Sequence, residues 1–251
     1  MYAISLHCRV VALLALAGAG CGGDQASASR TLESSYALGT EAAIFIQSVV
    51  PIAVIGERRD DLALVVEATV TASAADVAER ALDAWAPEVD VESSPGTVIY
   101  VIGHGSEGNL SGTAEVRIPR DMDLRVLSSN GDALVQTMTS DIRVDALATV
   151  AVLEPRGNVD IRVESGTGLV RGGFRSGTTT TVRVGSGNAQ LEVPSSTSLT
   201  IEADTTAGIA SSHPSFPSRA AGLTYTVSAG SGSATAIVEA RSGGLYILSQ
   251  D

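Results

Sequence analysis

The chain offers few groups suited to catalysis or metal binding. Its three histidines are His7, His104 and His213. A metal pair or a Ser-His dyad needs an imidazole close to its partner groups. His104 and His213 lie far apart in sequence, each in a loop-like stretch, and no such pairing is expected. Cys8 and Cys21 both lie near the N-terminus, so neither a disulfide framework nor a Cys-based metal site is expected in the folded body. Gly103-His104-Gly105-Ser106-Glu107-Gly108 satisfies G-x-G-x-x-G and follows a strand-like segment. The residues after it, NLSGTAEVRIP, read as turn then strand, leaving no helix N-terminus to hold a pyrophosphate. His104 also stands where a G-x-S-x-G nucleophile elbow needs Gly.

Carboxylates near arginines are the remaining candidates. Asp132, Asp141 and Asp160 fall near expected turns. Calcium-binding rolls carry G-G-x-G-x-D at nine-residue periods, and that pattern is absent here, so solvated corner carboxylates are expected. Arg143, Arg162 and Arg183, with Asp160, Glu164 and Glu202, occupy outward-facing strand positions. Clusters of this kind serve β-helix lyases and hydrolases. Alternating charges on adjacent strands are also what solubilises an exposed sheet face by cross-strand pairing, and that reading is preferred. No catalytic, cofactor-binding or metal-ligating residue is assigned, no cofactor is expected, and the chain is read as a non-enzyme.

These groups sit on a chain suited to short strands. Hydrophobic residues make up 44% of it and aromatics only 4%, with 26 Gly, so the core must be aliphatic and the turns Gly-rich. Val159, Ile161 and Val163 alternate with Asp160, Arg162 and Glu164. Thr180, Val182 and Val184 alternate with Thr181 and Arg183, and Ile201 and Ala203 with Glu202 and Asp204. Period 2 with one buried face predicts strands. Earlier strands are expected on both sides of Pro51, over Leu62–Thr71, Thr97–Ile102 and Thr113–Ile118. One helix is expected over Ser73–Trp85, begun by a Ser73/Asp76 capping box and stopped by Pro87, with Trp85 packed on its apolar face.

A longer period overlies the alternation. Gly166, Gly187 and Gly208 recur at 21-residue intervals, and Gly232 follows 24 residues later. A strand, a tight turn and a second strand complete a coil of about that length, and coils that bury their Val/Ile/Leu face only against neighbours stack. The expected architecture is mainly β: a single-stranded right-handed-type β-solenoid or β-helix over 113–251, after a small N-terminal strand-and-helix region over 33–112. An antiparallel sandwich is the alternative; it needs no fixed register of 21.

The N-terminus reads as an address. Arg9 precedes an apolar run, Val10 to Ala19, that is too short to remain as a membrane span, followed by Gly20 and Cys21. Residues 1–20 are expected to be a signal peptide and 21–32 a linker. Cutting after Ala19 satisfies the A-x-A rule; cutting before Cys21 exposes it for acylation. The stretch resembles a bacterial lipobox, with Gly18 where Leu is usual, and this makes Cys21 the expected lipidation site, anchoring the chain to a membrane. The absence of Asp immediately after Cys21 implies, by the same resemblance, the outer membrane; without acylation the chain would be periplasmic or secreted. Every basic residue is Arg and the formal net charge is −12, which excludes nucleic acid and anionic lipid headgroups as electrostatic partners.

Several segments together resemble a bacterial β-solenoid family labelled "putative adhesin", a domain of unknown function. They run in order from about Thr31 to Leu248: the early strand pair ending in Ile55-Gly56, LALVVEATVTAS with its helix, Val116 to Val126, the turn at 129–132, the GSG turns at 185–187 and 230–232, and the closing RSGGLYIL. The family's S-G-D turns appear here as Ser165-Gly166-Thr167, Ser186-Gly187-Asn188 and Ser231-Gly232-Ser233. The resemblance implies a fold and an envelope location and brings no catalytic residue. The expected function is therefore a non-enzymatic envelope lipoprotein whose β-solenoid is a binding or scaffolding surface for an envelope protein or glycan. A partner in envelope-stress signalling and a glycan-active enzyme are the alternatives. An exposed apolar strip would favour a protein partner; a cleft of converging carboxylates would favour the enzyme.

Overall fold

The computed structural model describes residues 26–38, 43–85, 88–90, 97–102, 109–220 and 224–250, with 88–90, 97–102 and 109–110 described by backbone alone. Residues 1–20, Cys21, His104 and the glycine motif at 103–108 lie outside the described residues. Those described form a mainly β protein of eighteen strands and one helix. In chain order these are β1 Ala26–Ala37, β2 Ala43–Ser48, β3 Ile52–Glu57, β4 Asp61–Ala72, α1 Ala75–Ala84, β5 Glu88–Asp90, β6 Thr97–Ile102, β7 Asn109–Pro119, β8 Asp123–Ser128 and β9 Ala133–Gln136. There follow β10 Ile142–Ala146, β11 Val150–Leu153, β12 Val159–Arg171, β13 Thr179–Val193, β14 Leu199–Thr205, β15 Ile209–Ser211, β16 Thr224–Ala229, β17 Ala234–Ala240 and β18 Leu245–Ser249.

Most strands pair in parallel, in two ladders. The first runs β6, β2, β8, β10, the first half of β12, the first half of β13, β17 and β14. The second runs β7, β3, β9, β11, the second half of β12, the second half of β13, β18 and β15. Antiparallel strands close the ends: β16 on β14, β5 on β6, β4 on β7, and β1 on β4. Along the first ladder the offset between paired residues is 18 from Leu124 to Ile142, 17 from there to Val159, and 21 from there to Thr180. A repeat of 21 therefore holds for one step, where the longer turn of β12 and β13 needs the extra residues.

Gly166 and Gly187 are direct register partners. Gly208 does not follow Gly187. The turn before β18 lies between them: the Gly187 amide donates to the Ser242 carbonyl (3.1 Å), and the Ala207 amide donates to the Gly243 carbonyl (2.9 Å). The expected succession at 187, 208 and 232 is thus corrected. β17 and β18 insert between β13 and the β14–β15 pair, and Gly232 sits in the turn joining β16 to β17. The N-terminal end has the same arrangement, with β2–β3 held between β6–β7 and β8–β9. The expected division at residue 112 falls inside β7, which pairs with β3 and β4. Within the expected linker, Ala26 to Leu32 belong to β1.

The alternation places every other column of each ladder inside. Ile44, Leu124, Ile142, Val159 and Thr180 succeed one another across the first ladder, as do Val54, Val135, Val152, Val170, Leu191 and Ile247 across the second. All are buried, and they share one apolar cluster apart from Thr180. Each fully buried aliphatic side chain contributes about 1.5–3 kcal/mol, so the two ladders gain stability strand by strand without aromatic mass.

The helix is Ala75–Ala84, shorter than the expected Ser73–Trp85. Its N-cap is Ala74, and no side chain caps it. The Ser73/Asp76 capping box does not form; Asp76 instead pairs with Arg80 one turn on (3.2 Å). Ala78, Leu82 and Trp85 are buried against β1 and β4, as the apolar face predicts, and Arg30 of β1 pairs with Asp83.

Candidate binding surface

The outward residues of the two ladders differ in chemistry. On the first ladder, Arg125, Arg143 and Asp160 are register neighbours in one column, and Asp145, Arg162, Arg183 and Glu239 in the next. Asp145 accepts from Arg143 (3.0 Å) and faces Arg125 (3.8 Å) and Arg162 (3.9 Å). Asp160 accepts from Arg183 (2.9 Å) and faces Arg162 (3.7 Å). Arg183 also faces Glu239 (3.6 Å), and Arg125 lies over the Phe45 ring at 5.2 Å. The expected cross-strand pairing is therefore present for Arg162, Arg183 and Asp160, whereas Arg143 pairs within its own strand. Glu164 and Glu202 are exposed and join none of these ion pairs. Pairs this exposed contribute about 0–1 kcal/mol each; they solubilise the face and satisfy its charges internally.

Asp123, Asp141 and Asn158 form a ladder along the adjoining corner. Asp123 accepts the Asp141 amide (3.2 Å), Asp141 accepts the Asn158 amide (2.8 Å), and the Asn158 side chain accepts the Thr179 amide (2.9 Å). Asp132 likewise accepts the Thr149 amide (3.0 Å). These carboxylates bind backbone donors that the turns leave unpaired. A concavity of about 440 Å³ lies over this face, between Ala43 and Arg183; its Asp141 and Asp160 are engaged by amides and guanidinium groups. No cluster of three or more His, Cys, Asp or Glu side chains able to hold a metal occurs among the described residues. His213 is buried, its Nδ1 accepting from the Ser215 amide (3.1 Å) and its ring 4.8 Å from that of Phe216. It holds the loop that follows β15.

The outer face of the second ladder carries an apolar strip, with Arg117 beside Ile55 and Arg171 beside Leu153. Val65, Glu115, Ala53, Leu134, Ala151 and Leu169 succeed one another across six strands, and Ile55 and Leu153 flank Gln136 in the next column. All are only partly buried. Farther along lies Tyr246, 42% exposed. A concavity of about 480 Å³ opens over Ala53, Val65, Leu134 and Ala151, and its charged lining consists of Glu67, Glu115 and Asp132. The sequence reading singled out Asp132 alone of this set. The signal was present: IAV, VAV and ALV place small or branched apolar residues at outward as well as inward positions, so the alternation with polar residues fails there.

Beside this strip Arg171 pairs with Glu192. The Arg171 guanidinium holds the Glu192 carboxyl below the ordinary carboxylate range, working against burial, which pushes it up. A depressed carboxyl pKa contributes stability above its unfolded value and loses it as pH falls through the folded value. The melting temperature is therefore expected to fall on acidification below about pH 4, with Glu192→Gln flattening part of that slope by less than about 1 kcal/mol. Thermal melts of both proteins from pH 6 to pH 3 check this; identical slopes would remove the pair from the account.

These features define a mainly β protein with two parallel ladders, one ion-paired face and one apolar strip. No family model and no curated protein matches the chain. Among solved structures it is similar to a "putative cell adhesion protein" from Clostridium sporogenes, with 13% identity and a TM-score of 0.50 over 88% of this chain and all of that one. At this identity the similarity bears on the fold. Among the described residues no helix is long and apolar enough to cross a membrane.

Proposed function

We propose that the chain is a non-enzymatic, lipid-anchored envelope protein, a β-solenoid whose second-ladder face is an adhesin-like binding surface. The observation that carries this reading is the contrast between the two outer faces. One pairs its arginines with Asp145, Asp160 and Glu239; the other leaves Ala53, Leu134 and Ala151 partly open under a concavity, with Ile55 and Leu153 beside them. An apolar strip of this kind marks a protein-binding surface. The solenoid reading is supported by the parallel ladders that share β12 and β13, and the adhesin-like reading by the fold of the clostridial neighbour. Asp145 and Asp160 of the opposite face are each engaged by arginines, which supports a solubilising role for them over acid–base work on a glycan.

Two measurements test it. Labelled palmitate is expected to enter the wild-type chain and not Cys21→Ala, and wild type is expected in the membrane fraction; equal solubility of both proteins overturns the anchor. A photoreactive residue at position 134 is expected to give cross-linked adducts in intact envelopes, and one at position 143 none. Equal yields at both positions, or no yield at either, overturn the assignment of the face.

A further inference from the structure

We infer that the partner on this face is a polypeptide segment that is both apolar and cationic, bound extended along the concavity between β4 and β11. The inference rests on the binding-face reading above and adds the chemistry of the occupant. The floor is mainly aliphatic: Ala53, Leu134 and Ala151 lie in line across successive strands, and Val65 lies in the same column beyond Glu115. Glu67 and Asp132 flank it, Glu115 stands in the floor between Val65 and Ala53, and no Arg lines it. Each carboxylate keeps acceptor capacity. Glu67 is exposed and joins no ion pair with a described residue, Glu115 meets Arg117 through Oε1 alone (2.7 Å), and Asp132 binds the Thr149 amide through Oδ1 alone (3.0 Å).

Other occupants fit less well. A second copy of the chain brings the same net charge of −12 and the same three carboxylates against these, and like charges facing each other oppose association. Anionic lipid and phosphate are repelled in the same way. A glycan lacks aromatic rings to stack on, since the lining contains none. An extended segment alternating aliphatic and basic residues covers the floor with one set and meets the rim with the other.

Fluorescence anisotropy of the purified full-length chain with three labelled nine-residue peptides tests the inference: alternating Val and Lys, alternating Val and Glu, and alternating Ser and Lys. The Val/Lys peptide is expected to bind at least tenfold more tightly than the other two. Leu134→Gln and the double variant Glu67→Gln/Glu115→Gln are each expected to weaken it about tenfold, and added salt to weaken it further. Arg143→Ala, on the opposite face, is expected to leave it unchanged. Equal affinity for Ser/Lys, or no change in the Leu134 and glutamate variants, reduces the binding to general attraction by an acidic protein and overturns the inference. Concentration-dependent dimerisation abolished by Leu134→Gln, without peptide binding, overturns it in favour of a second copy. Position-134 adducts that persist without Val/Lys binding leave the face standing and remove only the cationic partner; loss of both removes the face.

Discussion

Gly187→Ala is expected to unfold the protein or to cost about 4 kcal/mol or more, out of the roughly 5–15 kcal/mol that holds a domain together. Gly187 has φ +123°, a region in which a side chain costs about 1–3 kcal/mol by itself. Its environment adds to this. A Cβ there would be driven into the carbonyl oxygen of Gly166, its register partner, and its own carbonyl lies against Gly243 on the other side. Relief would require the paired corners of β12, β13 and β18 to separate, with loss of the Gly187 amide bond to Ser242 (3.1 Å). Gly177→Ala is the matched control: it too has positive φ, +80°, but a Cβ there meets nothing within 4 Å, so its cost is limited to about 1–3 kcal/mol of backbone strain. Urea unfolding of the three proteins measures the difference. A Gly187→Ala protein within 1 kcal/mol of Gly177→Ala would show that these corners are not in close register.

Removing residues 234–251 is expected to abolish cooperative folding of the whole body. In a coil laid down in simple chain order the last strands form an end cap, and trimming them exposes one new edge while the rest stands. Here β17 lies between β13 and β14, and β18 between β13 and β15. The deletion takes out an internal layer containing buried Ala236, Val238, Leu245 and Ile247. It uncovers the edge of β13 that they pair with and leaves β14–β15 without a parallel neighbour. Far-UV circular dichroism and limited proteolysis of the truncated chain check this. A sharp melting transition and a protease-resistant fragment spanning β8 to β13 would mean that the stack tolerates loss of that layer. The same topology has a kinetic side. β2–β3 pair with β6 to β9, and β17–β18 with β13, all distant in the chain, so long loops are closed before their contacts reward them.

Much of the local structure was legible in the residues. The turn at Pro51, the strands on both sides of it, the apolar helix face with Trp85 and the outward charges at Arg143, Arg162 and Arg183 all follow from period and residue type. The capping box at Ser73 was a false signal. A Ser three residues before an acid permits such a cap, but here Arg80 competes for Asp76 and the helix starts two residues later. The glycine spacing was informative at Gly166 and Gly187, 21 residues apart, and misleading at Gly208 and at Gly232, which follows 24 residues later. A turn glycine marks where the chain bends and carries no record of which coil the bend lies against.

The amino-acid sequence alone determined which side of each strand is buried, that the core is aliphatic, that the net charge is acidic and where the chain turns. Those properties belong to single residues and their near neighbours, through the two-residue repeat of a pleated strand. Tertiary structure decided the order of the layers and the site. Val, Ile and Ala columns fit one another in almost any sequence of layers, so choosing β17–β18 as the neighbour of β13 is settled by the summed fit of corners, turns and end strands. The apolar strip is likewise a property of assembly: Ala53, Leu134 and Ala151 are ordinary residues far apart in the chain, and they become one surface because parallel pairing sets them side by side.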